Sequence, residues 1–571
     1  LSEFPTNALL LQQMRTAAAE LDGFGLNSAM FARFDGALDP DSLPGPAASV
    51  EPASSVYLVN VDPDSPDRGT RTPILAKFRV AGTQTLGGNH LVVRPYPGFP
   101  LDEGTTYALV ITTRVKGESG GSIGVAPQMA KLVGTDPDPA IVHARTVYQP
   151  LLDYLDEAGD DERDDVASAS VFTTQHATNV AEALRKGVIA APAPVPTDIT
   201  VHMMVSTFTV FIGNYMAPNF QAGDVPYKNA PTGRITVGTD GVATMQRMEP
   251  LRFSLVVPAG PVPQDGFPIA IYSHGTGGDY LSGYDDGTAE RLAAEGIATL
   301  SMDQVLHGPR NPDGNPELDF FNFGNVYAAR DNALQGYADG FSQVRLARAL
   351  SFDDAGRTIT LDMTKVFFFG HSQGGLTGPG FVAFEPALKG AVLSGTAGLL
   401  YLNLLSKTKP LNIPALVETF VRDEPVDVDN PSLALVQMWV DRSDPANYAP
   451  LMVRRPPPGI APRPIFQTEG FTDTYSPNVG LEAFATALGG DIVQEVAAKP
   501  VEGLELRGRT TKAAPITNNL NGVTAVLAQF NQRPGSEGHF VVFDIPAAKQ
   551  QAARFLGTLA ATGQATVVPA N

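Results

Sequence analysis

No cysteine occurs among the 571 residues of this chain. Disulfides, thiolate-ligated metals and a cysteine nucleophile are therefore excluded. Long apolar runs are missing too: no stretch reaches the roughly 18 residues that a bilayer-spanning helix needs. Positive charge is in short supply, with 40 Lys and Arg against 60 Asp and Glu, a formal charge of −20. Nucleic acid and anionic membrane surfaces would repel such a chain, so its partners should be neutral or cationic. The chain opens at Leu1 without a Met, a basic n-region or an apolar h-region, so a signal peptide is expected to have been removed or left out. Histidines number only eight and are scattered without metal-ligand spacing, so no metal and no cofactor are expected.

What is present describes a globular protein of more than one core. Apolar residues make up 43% and charged residues 18%, enough to bury a sizeable interior, and 571 residues exceed one ordinary domain. Apolar residues at near-helical spacing over 6–21 predict an opening helix. Short β-branched and aromatic runs follow at 56–61, 74–80, 90–94 and 106–115, separated by Pro, Gly, Asp and Ser clusters. Such runs read as a small Ig-like β-sandwich. A helix over 139–158, an acidic loop over 159–165 and a strand over 170–174 complete a β-rich N-terminal domain, residues 1–190, with flanking helices. The Asp-rich turns at 62–66 and 136–138 read as solvated turns more readily than as calcium sites. The stiff Ala-Pro stretch over 190–196 is the expected domain boundary.

Beyond it, over 197–571, strands alternate with helices. Strands are predicted at 251–257, 268–272, 297–302, 366–369, 391–394, 464–468 and 523–530, and helices at 288–296, 332–350, 480–488 and 546–559. That alternation means a mostly parallel sheet covered on both faces, the α/β class. Two segments interrupt it. Residues 398–460 are rich in leucine and are expected to form a cap or lid, although an ordinary buried helix pair would use the same residues. Residues 494–522 are polar and read as a long surface loop.

The chemistry centres on Gly370-His371-Ser372-Gln373-Gly374, which directly follows the apolar run 366–369. Gly-x-Ser-x-Gly between a strand and a helix is a turn sharp enough to lift the serine hydroxyl above the strand end, with small residues required on either side. A serine needs a base to accept its proton and a group to orient that base. His539 is the only histidine C-terminal to Ser372, in the glycine-containing loop Gly535-Ser536-Glu537-Gly538-His539. Asp473 lies just past the strand at 464–468, where catalytic groups of open α/β sheets gather. It could instead cap the next helix, and Glu469 and Asp441 are rivals for the acid. The oxyanion amides are expected from Gln373 and from Thr276 in Ser273-His274-Gly275-Thr276-Gly277-Gly278. His274, His307, Leu400 and Leu404 are candidate substrate contacts. Asp303 and Arg310, flanking His307, could simply pair and hold their loop.

These motifs make residues 197–571 resemble the α/β-hydrolase superfamily, through the elbow at Ser372, the His274-Gly275 turn and the order Ser372, Asp473, His539. The first domain resembles, through Leu21-Asp22-Gly23-Phe24 and Pro100-Leu101-Asp102-Glu103-Gly104-Thr105-Thr106-Tyr107, the N-terminal domain of bacterial virulence-factor-type extracellular lipases. The resemblance implies a secreted or cell-surface esterase or lipase acting on a small-molecule, lipid or polymer ester. A polyester depolymerase or a peptidase would show the same triad, and a surface adhesion protein could carry such a domain idle.

Overall fold

The period-two alternation of the first β-branched runs lets single strands feed two cores at once. The computed structural model describes residues 9–83, 85–158, 163–421, 425–494 and 497–570. Its chain divides into two units: Leu1–Ala177 with Val417–Asp441, and Thr178–Leu416 with Arg442–Asn571. The strands of the first unit are β1 (Met30–Arg33), β2 (Val56–Asn60), β3 (Arg71–Thr72), β4 (Ile74–Arg79), β5 (His90–Pro95), β6 (Thr106–Thr112) and β7 (Val166–Thr173). They form two antiparallel sheets, ordered β1-β5-β4 and β3-β2-β6-β7. Leu58, Leu109 and Ile111 of one sheet share a buried cluster with Ile74, Leu91 and Val93 of the other. The alternate residues Tyr57, Val59, Ala108 and Val110 point the opposite way, against Met129, Leu132, Leu151 and Leu155 of helices Pro127–Val133 and Pro139–Ala158. Residues 159–162 of the acidic loop lie outside the described residues.

Two boundaries differ from those expected. The units part at Ala177, not in the proline-rich stretch, because helix Asn179–Ala190 packs along helix Val326–Ala349 of the second unit. The middle of the leucine-rich segment, Val417–Asp441, belongs to the first unit. There Asp429 accepts from Arg94 at 2.6 Å, and the Asp441 carboxylate accepts from the Leu26 N–H at 2.8 Å. Neither pairing has a local sequence signal, since the partners lie hundreds of positions apart.

The second unit is built on β8 (Thr197–Met204), β9 (Phe208–Asn219), β10 (Arg247–Pro258), β11 (Phe267–Ser273), β12 (Ala298–Met302), β13 (Phe352–Asp354), β14 (Arg357–Ile359), β15 (Leu361–His371), β16 (Leu388–Ser394), β17 (Ile465–Gly470), β18 (Asp491–Val493), β19 (Thr511–Lys512) and β20 (Ala525–Phe530). β13 and β14 pair as a separate hairpin. The others form one sheet, ordered β19-β18-β20-β17-β16-β15-β11-β12-β10-β9-β8. It is parallel from β19 to β12 and antiparallel through β10, β9 and β8. β15 carries the run Val366, Phe367, Phe368 and Phe369, buried on both faces as an interior parallel strand requires. The segment 494–522 is not a plain surface loop: it contains helix Glu502–Leu506 and β19, and Val501, Leu504 and Ile516 are buried. Isolated apolar anchors in a polar stretch leave no periodicity to read. No helix among the described residues is long and apolar enough to cross a membrane.

Candidate active site

Strand order decides where this sheet can work. From β11 the chain moves outward to β12, whereas from β15 it moves to β16 on the other side, so the connections diverge between β11 and β15. A crevice opens at such a switch point, at the carboxyl ends of the strands. Ser273 pairs with Gly370 across it, which sets the loop after β11 against the turn after β15. That turn has the strand, sharp turn and helix form expected of a nucleophile elbow. Ser372 sits at φ 56°, ψ −113°, and helix Gln373–Thr377 starts at the next residue. A Cβ on Gly374 would lie 2.0 Å from Ser273 O, and one on Gly370 would lie 2.7 Å from Gly374 O. Only glycine fits both positions.

The loop after β11 is fastened from below. Gly374 N–H donates to His274 O at 3.0 Å, and the Gln304 side-chain amide donates to the same oxygen. His274 Nε2 accepts from the Gln304 N–H at 3.2 Å, and His307 Nε2 accepts from the Gly277 N–H at 2.9 Å. The Nδ1 atoms lie 2.7 Å from Gly275 O and 2.9 Å from Val305 O, so each ring donates with Nδ1 and accepts with Nε2, the neutral form. Burial pushes His274 down to about 4 and, with His274 adjacent, His307 down to about 3. The Thr276 hydroxyl donates to Gln373 Oε1 at 3.0 Å, tying together the two residues expected to supply oxyanion amides. Among the described hydrogen bonds, the backbone N–H of neither residue has an acceptor.

Asp473 follows β17 in a tight turn that consumes its other oxygen. Oδ1 accepts from the N–H groups of Tyr475 at 2.9 Å and Ser476 at 2.7 Å, while Oδ2 lies 2.9 Å from His539 Nδ1. Nε2 is thus the ring nitrogen left toward the cavity. The Tyr475 ring stacks on the imidazole at 5.0 Å with 16° between planes. Glu537, two residues before His539, accepts from Thr474 N–H at 3.2 Å and Thr474 Oγ1 at 2.9 Å, joining the loop of Asp473 to the loop of His539. A Cβ added to Gly395 would lie 2.9 Å from His539 Cε1 and 3.5 Å from Ser372 N, so His539 and Ser372 approach the same small glycine. No hydrogen bond joins Ser372 to His539 among the described contacts. Both line one cavity of about 420 Å³, together with Gly275, Thr276 and the rings of Tyr475, Phe540 and Phe543.

The rival acids are engaged elsewhere. Glu469 is buried at the end of β17, accepting from Asn478 at 2.7 Å and Gln529 at 2.9 Å, and burial raises it to about 7. Asp441 lies in the first unit. His307 does not line the cavity and holds Gly277, while His274 reaches the cavity with both ring nitrogens already used. Leu400 and Leu404, on helix Leu400–Ser406, are not among the cavity's lining residues. The Asp303 carboxylate pairs with Arg252 at 2.8 Å, and Arg310 with Asp339 at 2.6 Å and Glu249 at 2.5 Å, while Arg310 also donates to the Asp303 main-chain oxygen at 3.2 Å, so the two residues are joined through the backbone and not as an ion pair. Sequence patterns miss Tyr475, Glu317, Lys407 and Asn478, of which Tyr475 alone had a signal, its place in the turn that carries Asp473.

No family model matches the sequence, and no curated protein does either. Solved structures are similar in chain path. An acetyl xylan esterase from Paenibacillus sp. has 12% identity and a TM-score of 0.38, over 59% of this chain and 87% of that one. Acetyl xylan esterase 1 from Thermoanaerobacterium sp. has 14% identity and a TM-score of 0.36, over 62% and 87%. A glucuronoyl esterase from Teredinibacter turnerae has 14% identity and a TM-score of 0.32, over 60% and 75%.

Proposed function

We propose that the second unit is a serine carboxylic-ester hydrolase acting through an acyl-enzyme. The observation that carries this reading is the Asp473–His539 hydrogen bond set in the same cavity as Ser372 on its elbow. His539 Nε2 takes the Ser372 proton as Oγ attacks the ester carbonyl, and Asp473 holds the imidazolium that forms. The N–H groups of Gln373 and Thr276 receive the oxyanion, an interaction of roughly 10²–10³-fold in rate per donor. His539 then protonates the departing alcohol. A water activated by the same base releases the acid and restores Ser372.

The part of the leucine-rich segment that stays in the second unit supplies Lys407 and Pro410 to the cavity wall, which supports its reading as a cap. The two facing sheets support an Ig-like reading of the first unit. Its resemblance to an extracellular lipase domain adds a secreted or cell-surface location, which fractionation of the producing cells tests.

The activity test is turnover of p-nitrophenyl esters from acetate to long acyl chains by the parent and by Ser372→Ala. The expected result is turnover that falls by roughly 10³-fold or more in the variant. A parent inert on every ester overturns the reading.

A further inference from the structure

The cavity that holds Ser372 and His539 is aromatic on one side and charged on another. Glu317 and Lys407 both line it. Lys407 Nζ lies 3.3 Å from Glu317 Oε1, and the two side chains are only 13% and 9% exposed. The ammonium donates to Tyr475 O at 3.1 Å and lies 5.6 and 5.8 Å from the ring centres of Phe321 and Tyr475. An ammonium has three donors. The Tyr475 carbonyl takes one and Glu317 attracts another, which leaves a third. Glu317 Oε1 is buried without a directed hydrogen bond. A buried polar atom left unmet is destabilising, and such atoms mark places where a further group belongs.

Tyr475 fixes which part of a substrate reaches this pair. Its carbonyl holds Lys407, its ring lies on His539, and its N–H holds Asp473. The pair is therefore on the imidazole side of the cavity. His539 hands its proton to the leaving oxygen, so the alcohol portion of an ester must lie on that side.

We propose that Glu317 and Lys407 form a subsite for a hydroxyl of the alcohol portion, so that the substrates are esters of hydroxyl-bearing alcohols. This inference rests on the esterase reading. The hydroxyl donates to Glu317 Oε1 and accepts from the free N–H of Lys407, meeting both unsatisfied groups with one atom. An anion fits less well, because the pair is neutral overall and Asp285 and Asp286 line the same cavity. An alkyl group at this place would exclude water from the ion pair and leave Glu317 Oε1 and the third Lys407 N–H without a hydrogen-bond partner.

The test compares butyrate esters of glycerol (the monoester) and of propanol, which share acyl group and carbon count and differ by two hydroxyls, with p-nitrophenyl acetate as a control. The parent is expected to prefer the glycerol ester in kcat/KM by about 10-fold or more, the size of a charge-assisted hydrogen bond. Lys407→Met and Glu317→Gln are each expected to bring that ratio toward one. A parent ratio near one overturns the subsite, and it needs no variant to fold. So does a ratio retained in both variants. Absence of turnover on p-nitrophenyl acetate as well sinks the esterase reading instead. Calorimetric binding of the two intact butyrates to Ser372→Ala then decides: tighter binding of the glycerol ester supports the subsite, and equal binding overturns it.

Discussion

At Ser372 the backbone is held in a conformation few side chains adopt, and the neighbouring glycines show what holds it. With Ser273 O only 2.0 Å from the place a Cβ would take, Gly374→Ala must displace the loop after β11. We expect it to lower unfolding free energy by more than about 2 kcal/mol, read from the denaturant midpoint, and to abolish turnover. The buried histidines and Glu469 pull stability in opposite directions with pH. His274 and His307 stay neutral to about 4 and about 3, whereas in the unfolded chain they charge near 6.5. Between those values the unfolded state binds more protons, so their contribution is lost as pH falls below 6.5. Glu469 runs the other way: native, it keeps its proton to about 7 against 4.5 unfolded, so stability falls as pH rises from 4.5 through 7. Denaturant midpoints at pH 5 and 7.5 read the net of the two in the parent, and single variants separate them. His307→Gln, whose carbonyl can replace Nε2 as acceptor, is expected to flatten the acid-side loss, and Glu469→Gln the fall toward neutrality.

The element that matters most beyond the elbow is the turn after β17. Glu469 and Asp473 lie four residues apart in sequence, and their order along the chain could rank them only weakly. Backbone direction separates them. Glu469 is still in the strand and points into an amide-lined interior, whereas Asp473 has turned out to His539. Asp473→Asn should therefore lower kcat by roughly 10³–10⁴-fold through the wrong imidazole tautomer, and Glu469→Gln should lower it far less. Asn478 couples the two, accepting from Asp473 N–H at 3.1 Å while donating to Glu469 and, at 2.9 Å, to Gly470 O. Asn478→Ala is expected to reduce kcat by about 10–100-fold with KM little changed, since a small displacement of the acid misplaces the base. Steady-state kinetics on one soluble ester checks all three. Elements of this kind were legible where they obey local rules: β15, its turn and helix Val326–Ala349 follow from apolar runs and glycine spacing. β8 and β9 were not, because the exposed residues of β8 carry no clean alternation.

For the whole molecule, the interleaving of the two units governs how it can be cut. Val417–Asp441 belongs with Leu1–Ala177, tied there through Asp429 to Arg79 and Arg94 and through Asp441 to Leu26. A chain lacking residues 1–177 but retaining 417–441 strands two buried carboxylates without their partners. It is expected to melt lower than one in which 417–441 is also replaced by a short linker, as read by calorimetry. Charge patterning alone could not reveal this, since opposite charges hundreds of residues apart are one arrangement among many.

What the sequence by itself determined is the glycine-flanked turn at Ser372, the α/β order around it and His539 as the candidate base, because these rest on local chemistry: glycine where no Cβ fits, an apolar run for a strand buried on both faces, and one histidine available downstream. The tertiary structure alone decided that Glu317 and Lys407 meet beside Tyr475, that His307 holds a loop, and that a segment from within the second half belongs to the first unit. Those depend on contacts between distant parts of the chain, and such contacts are selected by the packing of the whole core, which no local pattern records.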